Sequence, residues 1–462
     1  MFIGREKELS ELNRLYNSDK FEFAVIYGRR RVGKTALINE FIRDKRAIYF
    51  TGVETNAKQN LENFSKCIFT FSDNLLSDAT FPTFQSALES VFAMAEKERI
   101  ILVIDEYPYV ARAERSLAST LQLLIDKYQQ SSKLFLILCG SSMSYMEDNV
   151  LAYKAPLYGR RTAQFKILPF DFYETRKYLK NASDEDCALF YGIVGGTPQY
   201  LRAADDNVSP EENILRLYLN PTSAIFEEPA NLLKQEVREP SIYNAIITAV
   251  ATGASKLSEI SSKVGEDTSV CATYIKNLIA LGIIKKETPY GEKISKKSIY
   301  SIEDNMFRFW YRFVPENNSL IARGASSAAM ERIRPELSDY MGSVFEEICK
   351  QYLWRELIAG RCPILFGDIG RYWGTDSRTK SQFEIDIMGE ESKSTALFAE
   401  CKWRNEKVDV GVLEKLVERS KLFHYSKVHF YIFSKSGFTS GCKELAKRMG
   451  NVSLIDFSQI VG

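Results

Sequence analysis

Histidine is almost missing from this chain: His424 and His429 are its whole complement in 462 residues. Both fall in or beside a strand-like stretch near the end, so histidine-based catalysis has little material and both read as structural. Paired cysteines are missing too. Cys67, Cys139, Cys187, Cys271, Cys349, Cys362, Cys401 and Cys442 stand singly, with no Cys-x-x-Cys spacing. That argues against a disulfide framework or a zinc site, and they read as small buried hydrophobes. No apolar run approaches the roughly 20 residues that span a bilayer. The N-terminus also lacks the apolar stretch of a signal peptide, so a cytoplasmic protein without membrane contact is expected. An excess of one charge is lacking as well. The formal net charge is +1, which argues against wholesale attraction to nucleic acid and leaves only local patches. Lys285, Lys286, Lys293, Lys296 and Lys297 outnumber Glu287 and Glu292 in one such stretch.

What is present is a chain too long for one core, so two to four domains are expected. Its most informative segment is Gly28-Arg29-Arg30-Arg31-Val32-Gly33-Lys34-Thr35, directly after the strand-like run 23–27 and before a helix-patterned run 36–42. Strand, glycine loop and helix in this order cradle phosphate, because the glycines let backbone amides from Val32 to Thr35 approach an anion at a helix N-terminus. Lys34 is expected on the β- and γ-phosphates of ATP, and the Thr35 hydroxyl on Mg²⁺. The side chains of Arg29, Arg30 and Arg31 are expected to face solvent and raise the local positive potential.

From 1 to 205, strand-like runs at 23–27, 48–51, 100–104, 134–138 and 164–168 alternate with helical patterns, which predicts an α/β ATPase domain with a mostly parallel sheet. A helical lid or linker is expected over 206–237. Over 238–315, helices at 242–250, 256–264 and 268–281 precede strands at 283–287 and 298–302, with Asp267 as N-cap of the third helix. This order is that of a winged helix–turn–helix, a module that meets DNA or docks protein. Residues 330–462 form a further α/β unit, with helices at 337–357, 408–423 and 440–449 and strands at 383–388, 397–403 and 427–433.

Two further motifs complete an ATPase constellation. The buried run 100–104 ends in Asp105 and Glu106, where ligands bind in open α/β sheets. Asp105 is expected to hold Mg²⁺ through water and Glu106 to polarise the attacking water. The run 134–138 ends in Cys139-Gly140-Ser141-Ser142, and Ser141 is the candidate to meet the γ-phosphate or that water. In this order the motifs resemble the AAA+ and STAND-like ATPases often called archaeal-type ATPases. The resemblance implies further roles. Phe2 and Ile3, in Phe2-Ile3-Gly4-Arg5-Glu6-Lys7-Glu8-Leu9, stand where such proteins pack backbone against the adenine. Arg160, with Arg161 as alternate, matches an arginine reaching a γ-phosphate, in trans if the protein forms a homo-oligomer. Pro198, in Gly195-Gly196-Thr197-Pro198, matches a proline that approaches the nucleotide from the lid side, although Gly195 and Gly196 also suit an ordinary helix C-cap.

The last segment carries a second possible site. In Phe383-Glu384-Ile385-Asp386-Ile387, strand alternation puts Glu384 and Asp386 on one face, and Glu400 and Lys402 share a face in the next strand. If the strands are neighbours, Asp386, Glu400 and Lys402 converge: the carboxylates suit Mg²⁺ or Mn²⁺, and the lysine orients water. The local string Glu-x-Lys is uninformative alone, since Glu391-Ser392-Lys393 matches it in a polar loop. The element order resembles the restriction-endonuclease-like nucleases, a domain fused behind archaeal-type ATPases in a known family. Glu346, with Glu347 as alternate, matches the additional acid of such nucleases. The resulting expectation is a Mg²⁺-dependent ATPase coupled through a winged helix to a nuclease-like domain acting on nucleic acid, DNA favoured. The rival is an ATP-controlled switch that binds DNA or a protein partner without cleaving nucleic acid.

Overall fold

Strand β1 (Glu22–Tyr27) is buried at every position and lies between β4 (Leu134–Gly140) and β5 (Ala163–Lys166). With β2 (Ala47–Thr51) and β3 (Ile100–Asp105) it makes a parallel sheet of order β2-β3-β4-β1-β5. The near-continuous apolar runs of β1, β3 and β4 suit strands covered on both faces. The order matters for function: β1, β4 and β3 are successive neighbours, so the segments leaving their C-terminal ends meet along one edge. The computed structural model describes residues 2–72, 79–292, 297–376 and 379–462. Lys293 and Lys296 of the expected basic patch lie outside the described residues.

The chain divides into two compact units. The first is Met1–Phe170 with Thr197–Gln199, and the second is Asp171–Gly196 with Tyr200–Gly462. Residues 171–196, expected to belong with the sheet of 1–205, thus cluster with later elements. The physical reason is local: the helix Asp184–Val194 packs on the helices Asn305–Ala322 and Leu337–Ile358.

Within the second unit, the helices Pro210–Leu217 and Glu228–Glu236 precede three more, Pro240–Ala251, Leu257–Val264 and Thr268–Ala280. Asp267 has the extended backbone of an N-cap, but its side chain makes no capping hydrogen bond. An antiparallel hairpin follows, β6 (Ile284–Glu287) with β7 (Ile299–Ile302). A second sheet has the order β12-β11-β10-β9-β8. Its strands are β8 (Ile369–Thr375), β9 (Gln382–Ser392), β10 (Thr395–Lys402), β11 (Lys427–Ser434) and β12 (Val452–Asp456). Strands β8 to β10 pair antiparallel, and β10 to β12 pair parallel.

All eight cysteines are free, and all but the half-buried Cys67 are buried. His429 contacts the Ser453 hydroxyl at 2.9 Å, and burial lowers its pKa. Among the described residues, no helix is long and apolar enough to cross a membrane.

Candidate functional site

The phosphate loop leaves β1 and closes into the helix Lys34–Ile42. Gly33 has φ 94°, a left-handed conformation that glycine adopts without strain. Gly28 is required for a different reason: a Cβ there would collide with the Ile167 carbonyl. Lys34 is buried, and its ammonium donates to the carbonyls of Gly28 at 2.9 Å and Arg29 at 3.0 Å. The lysine is therefore folded onto its own loop, beside where phosphate is expected. Val32 belongs to the buried core, and Phe2 packs against that same core, while Ile3 is half-buried.

Asp105 is the hub of the site. Its Oδ2 accepts from Thr35 Oγ1 at 3.1 Å and from the Tyr49 hydroxyl at 2.6 Å, and its Oδ1 accepts from the Glu106 amide at 2.9 Å. Burial, then the Asp105 charge, pushes the Tyr49 phenol well above its ordinary pKa, so Tyr49 stays a donor. Glu106 has φ 49° at the entry to the helix Tyr107–Ala113. Buried Ser141 donates toward its carboxylate, 2.8 Å from each oxygen. Hard hydroxyl and carboxylate oxygens from Thr35 and Asp105 on one edge fit the donor chemistry of Mg²⁺.

Two of the loop arginines depart from expectation. Arg29 is buried rather than solvent-facing and donates to Thr197 Oγ1 at 2.8 Å, because the segment Thr197–Gln199 folds against the first unit. Arg30 is also engaged, donating to the Tyr109 hydroxyl at 2.8 Å. Arg160 is clamped by Asp126, with bonds of 2.8 and 2.7 Å from Nε and Nη2. Arg161 stacks on Tyr158 with its guanidinium carbon 5.5 Å from the ring centre. Pro198 lies near the loop, its Cγ 3.6 Å from where a Cβ on Gly33 would stand. Gly195 does cap the helix Asp184–Val194, at φ 66°.

Sequence reasoning missed Tyr49, Thr197 and Arg5. Arg5 is buried, donates to the carbonyls of Val32 and Leu168, and covers the Phe170 ring at 4.8 Å. A positive φ of 65° explains why Gly4-Arg5 opens the chain as a turn, yet nothing in the residue type marks it as a clamp.

The second cluster lies wholly in the other unit. Strand β9 faces β10 with Ile387 opposite Ala399, so one step further sets Asp386 opposite Glu400. There the backbone ladder ends, because the Cys401 amide donates to Asp386 Oδ2 at 2.8 Å. Lys402 Nζ donates to Glu400 Oε1 at 2.7 Å, and Arg419, from the helix Val410–Ser420, lies 3.4 Å from Glu400 Oε2. Burial and then Asp386 raise the Glu400 pKa. Burial alone would lower the Lys402 ammonium, but Glu400 and Asp386 outweigh it and hold its pKa up. Glu346 also joins the group: burial, then the Asp386 charge, pushes its carboxyl up to about 7. Its alternate Glu347 instead lines a groove of about 570 Å³ with Tyr290, Lys350 and Arg371. Among the described residues, no group of three or more His, Cys, Asp or Glu side chains is disposed to hold a metal ion. Glu391 and Lys393 lie at the exposed β9–β10 turn. Arg419 was not legible beforehand, since an arginine at the end of an amphipathic helix ordinarily faces solvent.

The chain is similar to known proteins along most of its length. Residues 2–204 match the family described as an ATPase domain predominantly from Archaea. Residues 310–413, which include Glu346, Asp386, Glu400 and Lys402, match a family described as archaeal and bacterial proteins of unknown function. The uncharacterized protein MJECL04 of Methanocaldococcus jannaschii is 34% identical over 436 residues, covering 91% of this chain and 92% of that one. The uncharacterized ATP-binding protein MJ0423 of the same organism is 48% identical over 46 residues, 10% of this chain and 78% of that one. Among solved structures, the Walker-type ATPase PABY2304 of Pyrococcus abyssi superposes with a TM-score of 0.50 at 19% identity, over 67% of this chain and 96% of that one. That likeness establishes the fold alone. With its phosphate loop, paired acids and serine on one sheet edge, the chain belongs to this predominantly archaeal family of ATPases.

Proposed function

We propose that the protein is a Mg²⁺-dependent ATPase whose nucleotide cycle is coupled, through a winged helix over 238–315, to a restriction-endonuclease-like domain that acts on DNA. The observation that carries the ATPase half is the alignment of Lys34, Thr35, Asp105, Glu106 and Ser141 at the ends of adjacent strands. In this reading the Lys34 ammonium leaves the loop carbonyls for the β- and γ-phosphates. Glu106 orients the attacking water, and Ser141 holds the Glu106 carboxylate in place. A bound Mg²⁺ supplies charge stabilisation on the phosphate oxygens. Pro198 and the Phe2–Ile3 backbone flank the nucleotide, and Arg160 serves a neighbouring copy.

The opposition of Asp386 and Glu400, with Lys402 at 2.7 Å from Glu400, supports the nuclease half. Two carboxylates suit Mg²⁺ or Mn²⁺, and Lys402 steadies charge on a phosphate. One observation favours the rival, an ATP-controlled switch that grips DNA or a protein without cutting. Both Lys402 and Arg419 contact Glu400, so cations already satisfy a would-be ligand. Incubating the full-length protein with labelled single- and double-stranded nucleic acids, with and without ATP and Mg²⁺ or Mn²⁺, separates the two. Metal-dependent strand cleavage supports the nuclease reading; salt-dependent binding without cleavage gives the switch the lead.

A further inference from the structure

We infer that a cleft beside Glu400 binds a single-stranded stretch of nucleic acid, with a base stacked on Trp373 and the phosphates held by Arg419, Lys256 and Lys297. This rests on the reading of the C-terminal cluster as a site that meets nucleic acid, and it names the form of the substrate. The cleft has a volume of about 560 Å³, and Lys256, Lys297, Trp373, Phe383, Glu384 and Arg419 are among its lining residues. Aromatic faces interleaved with cations are what a single strand requires, because every base offers a π-face and every step a phosphate.

A short chain of contacts links the cleft to Glu400. Trp373 on β8 is opposite Glu384 on β9. The Glu384 carbonyl accepts from Arg419 Nη1 at 2.7 Å, and the same nitrogen lies 3.4 Å from Glu400 Oε2. The Glu384 carboxylate, the one acid in this set, is paired with Arg371. Trp373 is itself positioned, its indole N–H donating to the Lys297 carbonyl at 3.3 Å. Lys256 is 3.9 Å from Glu259 and Lys297 is 3.0 Å from Glu292. Pairs of lysines this exposed contribute little, so a phosphate can recruit both ammonium groups.

The hairpin explains why a single strand fits better than a duplex. The Tyr290 amide donates to the Arg371 carbonyl at 2.9 Å, and its hydroxyl donates to the Asp368 carbonyl at 3.3 Å and accepts from the Glu390 amide at 2.9 Å. A hairpin fastened through Tyr290 to the second sheet is not free to lie along a duplex groove. The cleft beneath it has the size of a small-ligand pocket, about 300–1,000 Å³, which suits a nucleotide unit.

The test uses the full-length protein and fluorescein-labelled oligothymidylate, with oligouridylate and a DNA duplex of equal length as further arms. Binding is read by anisotropy at low salt, and tryptophan emission is followed in parallel. The expected result is that oligothymidylate binds more tightly than duplex and quenches tryptophan emission. Trp373→Ala weakens single-strand binding about tenfold, whereas Trp373→Phe keeps most of the affinity but loses the quenching. Oligouridylate binding as tightly as oligothymidylate assigns the cleft to single strands of either sugar. Unchanged single-strand affinity in Trp373→Ala, or duplex binding preferred over both single strands, overturns the cleft. If no nucleic acid binds the wild type at all, the underlying reading of the C-terminal cluster fails with it. If Asp386→Ala abolishes metal-dependent cleavage while Trp373→Ala changes nothing, that reading stands and the cleft alone is refuted.

Discussion

Ser141 Oγ lies 2.8 Å from both carboxylate oxygens of Glu106. The contact joins the ends of two neighbouring strands, β4 and β3, and it ties down the side chain proposed to activate water. Asp105, one residue earlier, is fixed by Thr35, Tyr49 and the Glu106 amide. Each acid thus has its own set of donors, and the two can be perturbed separately.

Lys34→Ala is expected to abolish tight ATP binding, since it removes the cation proposed to meet the phosphates. Glu106→Gln is expected to keep ATP but lower turnover about 10²–10⁴-fold, the usual weight of a general base. Ser141→Ala removes one hydrogen bond to a charged group, worth about 1.5–3 kcal/mol, so kcat falls roughly 10–100-fold with the KM for ATP little changed. Phosphate release at the wild-type rate by Lys34→Ala and Glu106→Gln together would overturn the ATPase chemistry. The same rate from Ser141→Ala alone removes only its positioning role.

Arg160 makes a second, sharper case because Asp126 holds it. As a finger acting in trans, Arg160→Ala should bind nucleotide yet lose hydrolysis, and mixing it with Lys34→Ala should restore some activity. Asp126→Asn should then hydrolyse at least as fast as the wild type, because the guanidinium is released. A purely structural clamp gives the opposite pattern. The pair is partly exposed, at 24% and 44% for the two side chains, so both variants would then cost at most about 1 kcal/mol of stability. Hydrolysis would be untouched. A strictly monomeric wild type at full specific activity excludes the finger.

The first sheet was legible at its centre because β1, β3 and β4 are apolar runs that lead into glycine, acid or serine, a pattern that burial on both faces imposes. The second was legible only in its centre. Strand β8, Ile369-Gly370-Arg371-Tyr372-Trp373-Gly374-Thr375, carries two glycines and little apolar alternation, so its pairing with β9 is decided by tertiary contacts. The convergence of Asp386 with Glu400 needed strand periodicity and also the pairing of β9 with β10, which the sequence left as a condition. Arg29 and Arg419 were misjudged or missed for a common reason: an arginine's stem can reach a buried partner distant in sequence. Arg29 finds Thr197, and Arg419 finds Glu400.

Glu346 should make stability depend on pH. Its ordinary value of 4.5 rises to about 7 in the folded protein, through burial and then Asp386, with Arg371, Lys350 and Lys285 opposing. The sign follows from proton counting. Between these values the folded chain keeps a proton that the unfolded chain has lost, so stability falls as pH rises through that window and levels above it. Glu346→Gln cannot lose a proton there, and its stability relative to the wild type should improve from pH 5 to pH 8. Urea unfolding at the two pH values measures this. A difference between variant and wild type that is the same at both sinks the assignment of the raised pKa to Glu346.

Asp386 and Lys402 should separate metal binding from cleavage. Asp386→Ala removes a carboxylate oxygen donor and also the acceptor of the Cys401 amide, so divalent-ion affinity should fall steeply in calorimetry. ATP hydrolysis should remain, because Lys34, Asp105 and Glu106 belong to the other unit. Lys402→Ala acts the other way on metal. It removes a cation that pairs with Glu400, so Mn²⁺ affinity should hold or rise, while any cleavage is lost with the charge proposed to steady the phosphate. Titrating Mn²⁺ into nucleotide-free protein that carries both Lys34→Ala and Asp105→Asn, with and without each further change, keeps the ATP site out of the signal. Equal Mn²⁺ affinity in all three proteins removes Asp386 from metal binding. Undiminished strand cutting by Lys402→Ala removes the lysine from the chemistry.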